Sequence, residues 1–281
     1  METRLTVQRR TFLFAVLAAA ATPAAATGFI ASRWQEAGGA RVRLILPNPA
    51  QGPATGAIEI ILPPGAKTYW RTPGDTGVPT LADFSGSTGI RDAQLLFPAP
   101  VAFDDGIGGF AYGYHDNVIL PFRFIAEAAS RVSVLLSFGI CTKNLCLPAQ
   151  ATLSLSAGEG AEQPALASAV QKAIAAVPQP VTFRAEAPAS IRAAQWKPGA
   201  TPAVLMVEAK LPPGTTTPAL FAEGDVTLTT RLKKLEGDVA EFAVRFESND
   251  PVPRGAIVLT LVTGAAAIET KLDLDALEKR P

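Results

Sequence analysis

From residue 41 onward, apolar side chains come in short bursts bounded by Pro, Gly, Asn and Asp. Arg41–Pro47 (RVRLILP) and Ala57–Leu62 (AIEIIL) alternate in the manner of half-buried strands. Gln94–Phe97, Val118–Phe124, Val132–Ile140 and Ala151–Ser156 continue the series, separated by turn-rich stretches at Thr72–Ser87 and Phe103–Asp116. A Gly-Glu-Gly linker at 158–160 closes this run. Pro164–Val177 then carries apolar residues at 166, 170, 174 and 177, with Pro164 suited to a first helical turn and Pro178 to a stop, so one amphipathic helix is predicted. Val181–Glu186, Ala203–Leu211, Val226–Leu235, Val239–Glu247, Ala256–Val262 and Ala267–Leu274 read as six further strands. Gly237-Asp238 and Gly264-Ala265 stand where hairpin turns are needed.

No βαβ alternation appears. The pattern predicts an all-β chain of two immunoglobulin-like sandwiches joined by a short helix: one over residues 40–157, linker and helix at 158–179, and a second over 180–281. The apolar fraction of 48% against 18% charged residues supplies material for two cores and excludes a disordered chain.

The first 26 residues read as an export address. METRLTVQRR is basic, FLFAVLAAAA is apolar, and Ala24, Ala25 and Ala26 offer a small-residue cleavage site. Arg9, Arg10, Phe12 and Leu13 match the twin-arginine pattern, with an ordinary secretory signal or an uncleaved anchor as the alternatives. The expectation is a periplasmic protein, in which disulfides are permitted. Lys plus Arg and Asp plus Glu balance at 25 each, so there is no basic footprint for nucleic acid.

Candidate chemistry is sparse. One histidine, His115, makes neither a metal site nor a triad with Ser85 or Ser87. Gly106–Gly109 lacks the strand–turn–helix setting of a phosphate cradle, and Asp104-Asp105 is a turn pair without a second acid. The C-terminal half has no cysteine or histidine and reads as a supporting or partner-binding sandwich; no cofactor is implied. What remains is Phe138–Pro148 (FGICTKNLCLP), where Cys141 and Cys146 flank a four-residue turn between apolar strands. Facing residues of such a hairpin lie within disulfide reach. The bridge closes a short loop and so constrains the unfolded chain little. Lys143 in the loop adds a charge that favours a thiolate. Spacing alone leaves three uses open: a structural staple, an exchange pair, or two soft ligands for Cu(I) in the reduced state.

Leu62–Pro79 (LPPGAKTYWRTPGDTGVP), Phe97–Pro100, Phe103–Gly106, Gly113-Tyr114 followed by Val118–Pro121, and the Cys141/Cys146 segment resemble, in order and spacing, the N-terminal domain of the DsbD thiol:disulfide interchange family. The likeness covers about residues 40–157 and is closest to its suppressor-of-copper-sensitivity branch. It implies an immunoglobulin-like domain that accepts electrons from a thioredoxin-like partner and passes them to oxidised periplasmic proteins. Cys146 is implied as the exchanging sulfur and Cys141 as the resolving one. Tyr69, Trp70 and Phe84, in an aromatic-rich stretch, are candidates for a cover over the sulfurs, and Asp75 for a nearby proton acceptor. The family's transmembrane helices and thioredoxin-like domain have no counterpart before Pro281, so a stand-alone module fed by another protein is expected. The copper-tolerance role of the same branch is the alternative function, and a non-catalytic interaction domain with a structural disulfide is a further one.

Overall fold

A computed structural model describes residues 28–74, 77–104, 110–142, 145–248, 253–264 and 266–277. The export segment 1–26, Asp75, Asp105, the run 106–109, Lys143 and Ala265 lie outside the described residues. The described strands, in chain order, are β1 Gly28–Ala31, β2 Gln35–Ala37, β3 Ala40–Asn48, β4 Gly52–Ile61, β5 Lys67–Gly74, β6 Leu81–Asp83, β7 Thr88–Leu95, β8 Val101–Asp104, β9 Phe110–His115, β10 Asn117–Cys141 and β11 Cys146–Ser156. Helix α1, Pro164–Ala175, follows. The remaining strands are β12 Gln179–Pro180, β13 Ser190–Trp196, β14 Val204–Lys210, β15 Ala219–Glu223, β16 Leu228–Glu236, β17 Val239–Phe246, β18 Ala256–Val262 and β19 Ala267–Asp273. The chain is all-β with one helix.

β1 to β11 form one hydrogen-bonded system with the path β1-β3-β4-β10-β5-β9-β8; β6, β7 and β11 also join β10, and β2 joins β3. Its organiser is the 25-residue β10. Residues 117–126 of β10 pair with β4, and 131–141 pair with β11. The exposed residues Glu127, Ala128 and Ala129 mark the changeover. Two separate strands were expected here; a single strand changes partners midway. Its alternating inward residues, Leu120, Phe122, Val132, Val134, Leu136 and Phe138, are at most 1% exposed and form the spine of the first core.

Helix α1 starts on Pro164, where the missing N–H costs nothing. It buries Leu166 and Val170 on Phe29, Ile45 and Ala57, which lie on the other face of the same sheet system.

The C-terminal half is a sandwich of two four-stranded sheets, β12-β19-β18-β15 and β13-β14-β17-β16. Strict alternation puts Leu205 and Val207, Phe242 and Val244, and Leu259 and Leu261 inside. The Gly237 hairpin forms where expected, with Glu236 facing Val239 and Gly237 at φ +60°. The expected strand at 181–186 is a turn instead: Ala185 N–H bonds the Thr182 carbonyl, and Arg184 adopts a positive φ. The alanine-rich β13 and β15 take the places of sheet members that the hydrophobic pattern does not mark.

Among the fully buried residues one crosses between the two cores, and the half-buried Ala219 and Val262 pack beside it on the first. Phe221 of β15 is buried in the first core, edge-on to Tyr112 (4.9 Å between centroids) and against Trp70 (5.9 Å).

Candidate functional site

β10 and β11 end as a hairpin whose last facing pair is Cys141 and Cys146, joined as a disulfide with Cα atoms 4.0 Å apart. The Thr142 N–H donates to the Leu145 carbonyl (2.9 Å) and closes the turn between them. On its other edge Cys141 faces Lys67 of β5. Cys141 is therefore flanked by two strands and is 4% exposed, whereas Cys146 lies on the exposed edge. The two sulfurs are chemically alike but sit in different surroundings: one faces solvent and the other faces the fold.

Tyr69 of β5 supplies the polar group at the bridge. Its hydroxyl lies 2.7 Å from Cys141 Sγ and 3.5 Å from Cys146 Sγ. A disulfide sulfur has no proton, so in this oxidised state the phenol is the donor. The ring is confined along both of its long edges. A Cβ built on Gly77 falls 2.3 Å from Tyr69 Cε1, and one on Gly139 falls 2.9 Å from Cδ2. Only glycines leave this slot open. The Thr80 hydroxyl donates to the Tyr69 carbonyl (2.7 Å), tying the following segment back onto the strand.

Of the other residues singled out in the sequence, Trp70 and Phe84 do not cover the sulfurs. Successive residues of a strand point to opposite faces, so Tyr69 at the disulfide places Trp70 in the core, where it is fully buried beside Phe221. Phe84 packs on Phe122 at 4.9 Å. His115 faces Lys67 across the β5/β9 pair, and its ring is 5.2 Å from that of Phe103. The Lys67 ammonium lies 4.2 Å from the Phe103 centroid, a cation–π contact close to Tyr69. Phe103, Gly77 and Gly139 are members of this site that the sequence did not single out. The alternation of β10 places Gly139 on the same face as Cys141, and that was the available signal.

Several large apolar side chains near the Cys146 hairpin are exposed. Leu145 is 56% exposed, Leu147 43% and Val78 45%, and Val78 lies beside Gly139. Exposed large apolar side chains beside an accessible disulfide suit a protein partner better than a small solute. Among the described residues no group of three or more His, Cys, Asp or Glu side chains is arranged to hold a metal ion, and no helix is long and apolar enough to cross a membrane.

β5 also leads away from the bridge. Tyr69 faces Gly113 and Gly74 faces Ala111, so Trp70 to Pro73 bulge out opposite the single residue Tyr112. The Arg71 guanidinium stacks on Trp70 and forms a fork on Glu223 (Nε 2.9 and 3.1 Å), while Nη2 also reaches Glu269 (2.5 Å). Burial works against the Arg71 charge, but the hydrogen bonds and charges of Glu223 and then Glu269 outweigh it and raise the pKa further. Burial likewise pushes the Tyr114 phenol well above its ordinary 10.0; its O–H donates to the Pro98 carbonyl at 2.8 Å.

Residues 40–157 match the family model described as thiol:disulfide interchange protein DsbD, N-terminal. Among solved structures, the chain resembles the N-terminal periplasmic domain of ScsB from Proteus mirabilis. The TM-score is 0.70 at 19% identity, over 87% of this chain and 98% of that one. The likeness at this identity is one of fold, and it extends through both β regions. A comparison with curated proteins yields no match.

Proposed function

We propose that this chain, whose residues 40–157 belong to the DsbD N-terminal family, is a periplasmic exchange module that takes electrons from a thioredoxin-like protein and passes them to oxidised proteins through Cys141 and Cys146. The observation that carries this reading is the asymmetry of the bridge: an exposed Cys146, a buried Cys141, and a phenol donating to the buried sulfur. A structural staple requires neither an accessible sulfur nor a polar group aimed at its partner.

The steps follow from that asymmetry. A thiolate of the donor attacks Cys146 Sγ; the S–S bond breaks, and its electron pair leaves on Cys141 Sγ, where the Tyr69 O–H stabilises the new thiolate. The donor's second thiolate then attacks the donor's own sulfur in the mixed disulfide and frees Cys146. The pair has gained two electrons, and the donor has become a disulfide. In the second half, the Cys146 thiolate attacks a client disulfide and expels one client thiolate. Cys141 then attacks Cys146 Sγ and expels the other. The client thiolates take up two protons from solvent, and the bridge is restored. Leu145, Leu147 and Val78 form the apolar rim on which donor and client dock in turn, which keeps both mixed disulfides at Cys146. The division into domains on either side of the 158–179 helix belongs to this reading, with exchange assigned to the first.

Equilibrating the full chain with glutathione buffers, alkylating the free thiols for mass analysis and following the fold by circular dichroism tests the proposal. The pair should reduce within the glutathione range, above about −300 mV, while the fold persists. A bridge that stays oxidised until the protein unfolds would contradict it.

A further inference from the structure

The C-terminal sandwich carries no cysteine or histidine, yet it grips the strand that carries Tyr69. The four-residue bulge Trp70 to Pro73 immediately follows Tyr69 and is anchored to that sandwich: Trp70 by Phe221, Arg71 by Glu223 and Glu269, and Thr72 by its hydroxyl on Glu223 (2.5 Å). Glu223 ends β15 and Glu269 lies on β19, with β18 between them, so both carboxylates come from one sheet of that sandwich. They are 16% and 33% exposed, and Arg71 is 31% exposed, which leaves the cluster partly shielded from solvent. A bulge of this length lacks ladder bonds to hold its own course. Its path, and with it the exit direction of β5 at Tyr69, depends on these contacts.

We infer that Glu223 and Glu269 are positioning residues for the redox site: by fixing Arg71 and Thr72 they set the Tyr69 hydroxyl against Cys141 Sγ, so that the C-terminal sandwich tunes the reducibility of a disulfide it does not touch. This rests on the role assigned above to Tyr69. The linkage is covalent and short, because Tyr69, Trp70, Arg71 and Thr72 are consecutive. The element that responds is the slot between Gly77 and Gly139, where a small displacement of the ring changes a 2.7 Å hydrogen bond. A hydrogen bond of that kind weakens steeply with distance and angle.

The test is a double-mutant cycle on the full-length oxidised chain, read as the equilibrium constant of the Cys141–Cys146 pair against dithiothreitol. The variants are E223Q/E269Q, Y69F and their combination, and the milder T72V serves if the paired Gln variant does not fold. Loss of stability that is equal in the oxidised and reduced forms cancels from this constant, so a merely structural role leaves it unmoved. Y69F should make the pair harder to reduce, and E223Q/E269Q should shift the constant in the same direction by about threefold, or about 14 mV at 29.6 mV per tenfold. In the Y69F background the clamp substitutions should have no further effect, because the group they position is gone. K234Q, which breaks the exposed Lys234–Glu236 pair on β16, should leave the constant unchanged. An unchanged constant in folded E223Q/E269Q, or the same shift with and without the Tyr69 hydroxyl, would overturn the inference. Dithiothreitol reads bridges below the glutathione range as well. A pair too stable for exchange, which defeats the functional proposal, is therefore a separate result from a pair insensitive to the clamp.

Discussion

Replacing Tyr69 with phenylalanine removes one oxygen and little else. The ring stays in the slot between Gly77 and Gly139, and the Thr80 bond to the Tyr69 carbonyl is untouched. What is lost is the O–H donated to Cys141 Sγ over 2.7 Å. In the oxidised protein the acceptor is a neutral sulfur, for which a hydrogen bond contributes about 0.5–1.5 kcal/mol. At a pH that ionises the reduced Cys141, and as the bridge opens, it is a thiolate, for which the range is about 1.5–3 kcal/mol. The difference, about 1–1.5 kcal/mol, measures how much the phenol favours reduction. Y69F should therefore lower the equilibrium constant for reduction by about five- to tenfold. The potential should become about 20–30 mV more negative, since about 30 mV corresponds to 1.4 kcal/mol for a two-electron couple. Glutathione equilibration gives the constant and the potential. An unchanged or more positive potential in folded Y69F would refute the argument, because the hydroxyl would then favour the disulfide at least as much as the thiolate.

The slot itself can be probed by G139A. The added methyl meets Tyr69 Cδ2 and Cε2 at 2.9 and 3.0 Å, and the ring cannot retreat because Gly77 backs its opposite edge. Overpacking of this kind costs roughly 1–3 kcal/mol; denaturant titration should show that loss, and exchange should slow because the hydroxyl is displaced. Full stability and full exchange in G139A would mean that the ring is not confined. Tyr114 gives a pH dependence. Burial raises its pKa well above 10.0, so the unfolded chain loses the phenolic proton before the folded one. Its stabilising contribution is fully present below pH 10 and is lost as pH rises through the folded value. Y114F, though about 1 kcal/mol less stable for want of the Pro98 bond, should show a shallower alkaline decline in denaturation midpoint. An identical alkaline slope would contradict the assignment.

Much of this site was legible in local pattern. The cysteine pairing follows from two apolar strands around a short turn, and the helix follows from its period and its flanking prolines. The parts that were not legible depend on register between distant segments. Alternation alone puts Tyr69 and Trp70 on opposite faces. Which of them meets the sulfurs depends on Lys67 facing Cys141, a pairing across 74 residues that no local signal encodes. Arg71 reads as a solvated turn charge until Glu223 and Glu269, 152 and 198 residues away, are brought to it. The long β10 read as two strands because its midpoint, Glu127 to Ala129, is exposed where partners change. Val181–Glu186 alternates like a strand, but the chain turns there while β12 provides the edge pairing with β19.

The proposed exchange holds its partners through the Cys146 sulfur. Its most direct test is mixed-disulfide trapping with single cysteine variants in periplasmic extract, resolved on non-reducing gels. C141S removes the resolving sulfur and leaves the exposed one, so it should accumulate covalent adducts that disappear on reduction. C146S leaves only the buried sulfur, 4% exposed in the native chain, and should accumulate few. Equal trapping by both variants, or adducts predominantly with C146S, would contradict the assignment; no adducts with either would reduce the pair to a staple.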